Sequence, residues 1–70
     1  MNFVLLRTLR RHQGLTQTEA AKSVGVSRQA LSNYERGLRE PSLKSLIIMS
    51  DLYKVSLDEL VGRTKPEKVS

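Results

Sequence analysis

The chain has 70 residues, and 12 lysines and arginines against 7 acidic residues give it a formal net charge of +5. A chain of this length forms one small domain with a modest core. It has no cysteine and one histidine, which excludes disulfides, thiolate metal sites and multi-histidine metal sites.

Capping residues predict two helices in the first third of the chain, and no segment alternates apolar and polar residues as a half-buried strand would. The first helix is expected to begin after Asn2, an N-cap residue, and to end at Gly14. The segment Thr16-Gln17-Thr18-Glu19 is a capping box, which opens a second helix through about Ser23. Gly25 ends that helix.

Three further helices are predicted after Gly25. Ser27 is placed to cap the third, which is expected to run through about Arg36. Ser42 is placed to cap the fourth, roughly residues 43–53, and a second capping box at residues 56–59 opens the fifth, which ends near residue 62. Residues 63–70 are mostly polar or charged, so we expect them to form a flexible tail.

The second and third helices are predicted to form a helix-turn-helix. A small residue, Ala21, lets the two helices approach, and Gly25 supplies the positive φ that a tight turn needs. Val26 and Leu31 would pack the third helix against the second. The excess positive charge lies in the N-terminal part of the chain, which contains these two helices. Residues 1–39 carry seven cations and two anions, whereas residues 40–70 carry five of each.

This series of motifs resembles the DNA-binding domain of the lambda-repressor-like (Cro/Xre-type) helix-turn-helix family. The matching segments are Leu6-Arg7-x-Leu9-Arg10, Gly14-Leu15-Thr16-Gln17-x-Glu19-x-Ala21, Val24-Gly25-Val26-Ser27-Arg28, Tyr34-Glu35-Arg36-Gly37, Pro41-Ser42 and Val55-Ser56-Leu57-Asp58-Glu59-Leu60. They follow one another in order and without gaps from about residue 4 to 62. The resemblance implies a compact, all-α, five-helix domain over residues 1–62.

The resemblance also implies which side chains contact base edges. The family places its third helix in the major groove of DNA and uses the exposed residues of the N-terminal half of that helix. In this chain those residues are Arg28, Gln29, Ser32 and Asn33. Their chemistry is suitable, since arginine can donate twice to guanine, and glutamine or asparagine can pair bidentately with adenine. A solvated helix face is the alternative.

Contacts to DNA phosphates are expected from a second set of residues. The family clamps the DNA backbone with a glutamine at the start of the second helix, and Gln17 occupies that position, where backbone amides favour an anion. Further phosphate-contact candidates are Arg11, Arg36, Arg39, Ser42 and Lys44. The alternatives are a solvated role for these cations and a capping role for Ser42.

Two pairs of residues are expected to serve the architecture. In relatives, the residues that correspond to Arg10 and Glu35 form a partly buried ion pair between the first and third helices. We therefore assign this pair to the fold and not to DNA. Tyr34 and Tyr53 lie at positions that are apolar in the family, so both are expected in the core.

Ile48, Leu52 and Val61 form a possible dimer patch. Ile48 and Leu52 are four residues apart on the fourth helix and are expected to be exposed, and several members of the family pair in this region. A dimer would place two reading helices about 34 Å apart and would bind a palindromic site. The alternative is that a small core spreads around the helix.

These observations predict a cytoplasmic, prokaryotic or phage transcriptional regulator, a repressor that binds double-stranded DNA as a homodimer. The alternative is a protein-interaction module of the same fold, such as an antitoxin or adaptor, which would have a protein partner. No enzyme is expected, because no nucleophile, general base or metal site can be assembled. We also expect no cofactor, no small-molecule substrate and no membrane association, since no apolar run approaches the roughly 20 residues of a membrane span.

Overall fold

The structure is a computed structural model that describes residues 3–62, and five α-helices and no strand lie within them. The helices are α1 (Phe3–His12), α2 (Gln17–Val24), α3 (Arg28–Glu35), α4 (Leu43–Tyr53) and α5 (Leu57–Val61). The predicted all-α, five-helix fold is confirmed. Asn2, the expected cap of the first helix, and the expected tail at 63–70 lie outside the described residues.

Side-chain caps explain where four of these helices begin. In the first capping box, the Glu19 amide donates to Thr16 Oγ1 at 3.1 Å, and the Thr16 amide donates back to the Glu19 carboxylate at 2.9 Å. Ser56 and Glu59 repeat the same pair of hydrogen bonds at the start of α5. Single caps open α3 and α4 at Ser27 and Ser42. Each cap satisfies a backbone donor that the helix leaves free, which is worth about 1 kcal/mol.

The turn between α2 and α3 requires glycine for its backbone conformation. Gly25 has φ +87°, and its amide donates to the carbonyl of Ala21 at 2.8 Å. The Val26 amide donates to the same carbonyl at 3.0 Å, so the chain reverses direction immediately after α2. A Cβ at residue 25 would meet no atom within 4 Å. The requirement is therefore for positive φ and not for space.

Every helix contributes to one core. The buried apolar residues are Leu6, Ala20, Ala21, Val24, Leu31, Tyr34, Met49, Tyr53 and Leu60. They include the three α2 residues that stabilise its packing against the rest of the domain. Because α2 and α3 are anchored in this core, the remaining face of α3 is left free to carry polar side chains.

The expectation that Ile48 and Leu52 are exposed was wrong. Both are half-buried and pack against the core, and Val61 on α5 is half-buried as well. The core of a short chain has few large side chains, so it extends around α4 beyond a single stripe. The strongly exposed aliphatic residues of α4 are Leu43 and Ile47 instead.

A buried ion pair joins α1 to α3. Arg10 Nε lies 2.7 Å from Glu35 Oε2, and Arg10 Nη2 donates to Glu35 Oε1 at 3.1 Å. A third donor, Arg10 Nη1, reaches the carbonyl of Leu15 at 2.8 Å. Both charged residues are only 7% exposed. The two-point geometry and the third hydrogen bond offset the cost of removing the charges from water.

Tyr53 lies in the core beside this pair. Its hydroxyl is buried and has no hydrogen-bond partner within residues 3–62. Burial raises the pKa of Tyr53 from 10.0 to about 12, with the negative charge of Glu35 raising it further and Arg10 opposing the change. The hydroxyl therefore reduces the stability of the domain at neutral pH, since an unpaired buried donor loses its hydrogen bonds to water.

Removal of one partner of the ion pair tests how much the pair contributes to the free energy of unfolding. We expect Glu35→Gln to lower the free energy of unfolding by about 3 kcal/mol or more, because it leaves the Arg10 charge buried without an anion. Urea denaturation followed by circular dichroism measures the change. Glu40→Gln is the matched control at an exposed carboxylate and should change the stability by less than about 0.5 kcal/mol. Equal unfolding midpoints for the two variants would contradict the assignment.

The Tyr53 hydroxyl gives the stability a pH dependence. The unfolded chain releases this proton near pH 10 and the folded chain near pH 12. The free energy of unfolding is therefore unaffected by this titration below pH 10 and decreases as the pH rises from 10 to 12. Tyr53→Phe should be more stable than wild type by about 1 kcal/mol at neutral pH. It should also lose less stability at alkaline pH in urea titrations. Tyr34→Phe is the control, and an alkaline loss in Tyr53→Phe as large as in wild type would contradict the prediction.

Candidate nucleic-acid interface

The free face of α3 carries the four side chains that the sequence assigned to base edges. Arg28 and Gln29 are exposed, and Ser32 and Asn33 are half-buried. Gln29 Nε2 donates to Asn33 Oδ1 at 3.4 Å, so these two amides lie side by side one helical turn apart. The four side chains therefore form a row of hydrogen-bond donors and acceptors along α3.

Gln17 connects this row to the core. It is the first residue of α2, and its Nε2 donates to Glu35 Oε1 at 3.2 Å. Its own Oε1 accepts from Arg28 Nη1 at 3.4 Å. The sequence placed Gln17 among the phosphate contacts and Glu35 within the architecture, but did not predict that hydrogen bonds connect them to Arg28.

A cleft of about 370 Å³ opens between α1 and α3, next to Gln17. Its walls are formed by Phe3, Val4, Arg7, Gln17, Ser32, Glu35 and Arg36. Arg7 and Arg36 are exposed, and neither forms an ion pair within residues 3–62. Because Arg10 neutralises Glu35, the two exposed arginines give this cleft a positive charge.

Arg7 is a potential site residue that the sequence analysis did not assign. It lies one helical turn before Arg10, on the side of α1 that faces α3. That spacing was readable from the sequence, because a residue three positions before the architectural arginine must lie on a similar face. What the sequence did not show was the cleft that brings Arg7 together with Arg36.

The other predicted phosphate contacts are exposed but lie outside this cleft. Arg11 is in the last turn of α1, Lys44 is in the first turn of α4, and Arg39 lines a smaller cleft of about 170 Å³ beside Phe3 and Glu40. Ser42 Oγ accepts from the Ser45 amide at 3.1 Å, so its hydroxyl serves the helix cap.

Phe3 separates the two clefts and closes the contact between α1 and the end of α3. A Cβ at Gly37 would lie 2.9 Å from two ring atoms of Phe3, and Gly37 has φ +73°. The backbone conformation therefore favours glycine at this position, and a larger residue would also displace the Phe3 ring.

The described residues contain no group of three or more side chains suited to hold a metal ion. None of the helices in the described part of the chain is long and apolar enough to span a bilayer.

Comparison with known proteins agrees with this geometry. A family described as helix-turn-helix matches residues 6–60. The HTH-type transcriptional regulator ImmR of Bacillus subtilis (strain 168) is 41% identical over 63 residues, which cover 90% of this chain and 50% of ImmR. The chain spans about half the length of the curated relatives it matches.

Two solved structures have a similar fold. The P22 c2 repressor in complex with synthetic operator 9T has a TM-score of 0.80 at 33% identity, over 83% of this chain and 88% of the repressor chain. A SinR–SinI protein complex gives a TM-score of 0.79 at 31% identity, over 87% of this chain and 60% of the matched chain.

Fold and surface therefore define a small all-α domain of the lambda-repressor type, with α2 and α3 as its helix-turn-helix. The chain belongs to the helix-turn-helix family whose model matches it over residues 6–60. The resemblance drawn from the sequence motifs is confirmed.

Proposed function

We propose that this chain is the operator-binding part of a cytoplasmic transcriptional repressor, with α3 lying in the major groove of double-stranded DNA. The observation that supports this proposal is the row of polar side chains on α3, in which Arg28 and Gln29 are exposed. Beside it lie exposed arginines that form no ion pair within residues 3–62. An α-helix fits the major groove, and positive charge next to it attracts the phosphates. The P22 c2 repressor, solved with a synthetic operator, has the same fold.

Base reading is proposed for Arg28, Gln29, Ser32 and Asn33. The guanidinium of Arg28 can donate twice to the O6 and N7 atoms of guanine, and the adjacent amides of Gln29 and Asn33 match the N6 and N7 atoms of adenine. Each bidentate pair would contribute about 1–3 kcal/mol of discrimination against the wrong base. The hydrogen bond between the two amides supports a joint role for them.

Phosphate contacts are proposed for residues on both sides of α3. They are Gln17, Arg11, Arg36, Arg39, Lys44, the backbone amide next to Ser42 and, in addition, Arg7. The five cationic residues among them would give a slope of about −4.5 when the logarithm of the binding constant is plotted against the logarithm of the salt concentration. These contacts position the domain on DNA, and the α3 row supplies its sequence preference.

We propose that two copies bind one operator. The α4–α5 surface at Ile48, Leu52 and Val61 remains the proposed contact, although its side chains are only partly exposed. A symmetric pair would place the two α3 helices about one DNA turn apart, which explains why a palindromic operator is expected.

A protein partner is the second candidate function, supported by the solved complex of SinR with SinI. The described surface favours DNA as the main ligand of α3, because the exposed aliphatic residues of α4, Leu43 and Ile47, lie on a different helix from the polar row. An interaction module would use those aliphatic residues and would tolerate changes on α3.

Selection from random duplex DNA at about 150 mM salt tests base reading, since non-specific binding is already weak there. Wild type should yield a consensus, and the triple variant Arg28→Ala, Gln29→Ala, Asn33→Ala should lose it while remaining folded. The triple variant Leu38→Ser, Leu43→Ser, Ile47→Ser is the control on exposed apolar positions outside the cleft between α1 and α3 and should keep the consensus. A consensus that survives the α3 changes would contradict the proposal.

Pairing on DNA is tested with a full palindrome and a single half-site taken from that selection. Val61→Lys should weaken binding to the palindrome and leave the half-site affinity unchanged, because it places a charge in the proposed contact. Leu38→Lys adds the same charge at an exposed loop residue and is the control. Sedimentation that shows one copy per palindrome with wild type would contradict pairing.

A further inference from the structure

We propose that Glu35 is a positioning residue for base reading: through Gln17, this buried carboxylate sets the orientation of the Arg28 guanidinium. The inference rests on the proposed function, in which Arg28 contacts a base edge. It gives the core ion pair a second role, because the same carboxylate that joins α1 to α3 also orients a side chain of the interface.

The Glu35 carboxylate is fixed from the core side. Arg10 holds both of its oxygens, with Nε 2.7 Å from Oε2 and Nη2 3.1 Å from Oε1. Only 2% of the Glu35 side chain is exposed, so no solvent competes for its position. Oε1 has a second lone pair, which accepts from Gln17 Nε2 at 3.2 Å.

This contact determines which way the Gln17 amide points. An ionised carboxylate only accepts hydrogen bonds and a guanidinium only donates them. The observed amide matches both neighbours, since its Nε2 faces Glu35 and its Oε1 faces Arg28. A flipped amide would place oxygen against the carboxylate and NH₂ against the guanidinium, so it is disfavoured at both ends.

Arg28 is thereby held before DNA arrives. Its Nη1 donates to Gln17 Oε1 at 3.4 Å, and the remaining N–H groups, including those on Nε and Nη2, stay available for a base edge. A long exposed side chain that is already oriented loses less freedom on binding. The resulting gain in binding free energy is confined to the one base pair that Arg28 contacts.

A positioning role for Gln17 differs from a phosphate contact in how a substitution changes DNA affinity and base discrimination. Loss of a phosphate contact made by the neutral Gln17 would weaken binding about equally for all sequences and leave the salt slope nearly unchanged, because glutamine releases no counterion. Loss of orientation at Arg28 instead lowers discrimination at one base pair. The second amide hydrogen of Gln17 can still reach a phosphate, so the two effects are separable only by measuring discrimination.

The experiment measures dissociation constants for the selected duplex and for its single-base variants at every position, well below the melting midpoint of each protein. Arg28→Ala first identifies the base pair that Arg28 reads. Gln17→Met, which keeps the length of the side chain without its hydrogen bonds, and Glu35→Gln are then compared with wild type. Leu60→Val is the control, because it destabilises the core without touching the Arg10–Glu35–Gln17–Arg28 chain of contacts.

We expect Gln17→Met and Glu35→Gln each to lower discrimination at the Arg28 base pair by about fivefold or more and to leave the other positions unchanged. The double variant should lose no more discrimination than either single variant, and neither change should alter discrimination in an Arg28→Ala background. Leu60→Val should lower the melting temperature alone. In the free protein, ¹⁵N relaxation of Arg28 Nε should show greater mobility in both single variants than in wild type.

A uniform loss of affinity in Gln17→Met with unchanged discrimination would overturn the inference and leave Gln17 as a phosphate contact. Full discrimination in a folded Glu35→Gln protein would also overturn it. If wild type selects no consensus at all, base reading itself is wrong, and unchanged Arg28 mobility in the free variants would then show separately that the positioning is wrong too.

Discussion

The domain depends on one buried carboxylate, Glu35, and on the guanidinium of Arg10 that neutralises it. The pair fixes the angle between α1 and α3, because its two-point contact tolerates little rotation. From this junction, the cleft with Arg7 and Arg36 opens toward solvent. Breaking a charge pair that is almost excluded from water costs about 3–5 kcal/mol. The position of α3 relative to α1 is therefore held firmly.

The helix-turn-helix shows how local signals and packing cooperate. Capping at Thr16 and Ser27 fixes where α2 and α3 begin, and positive φ at Gly25 fixes the turn between them. Neither signal would hold an eight-residue helix in isolation, because helix nucleation is costly. Burial of apolar residues from both helices stabilises them, and it also leaves the opposite face of α3 polar and accessible.

Most of the fold was predictable from the sequence, and the site was predictable in part. The starts of helices depend on short-range chemistry, and the caps at Thr16, Ser27, Ser42 and Ser56 were assigned correctly. The exposure of Ile48 and Leu52 was not, because the sequence pattern of α4 does not show how far a small core extends around it. Arg7 was missed for a similar reason, since its importance comes from a cleft formed with Arg36, far along the chain.

The sequence by itself determined the helices, the turn and the identity of the polar side chains on α3, because caps, glycines and helical periodicity act over a few residues. Only the tertiary structure decided that Gln17 lies between Glu35 and Arg28, which are 18 and 11 residues away along the chain. Such hydrogen bonds depend on where α2 and α3 come to lie after the core has packed. That placement is a property of the whole domain, and no local pattern encodes it.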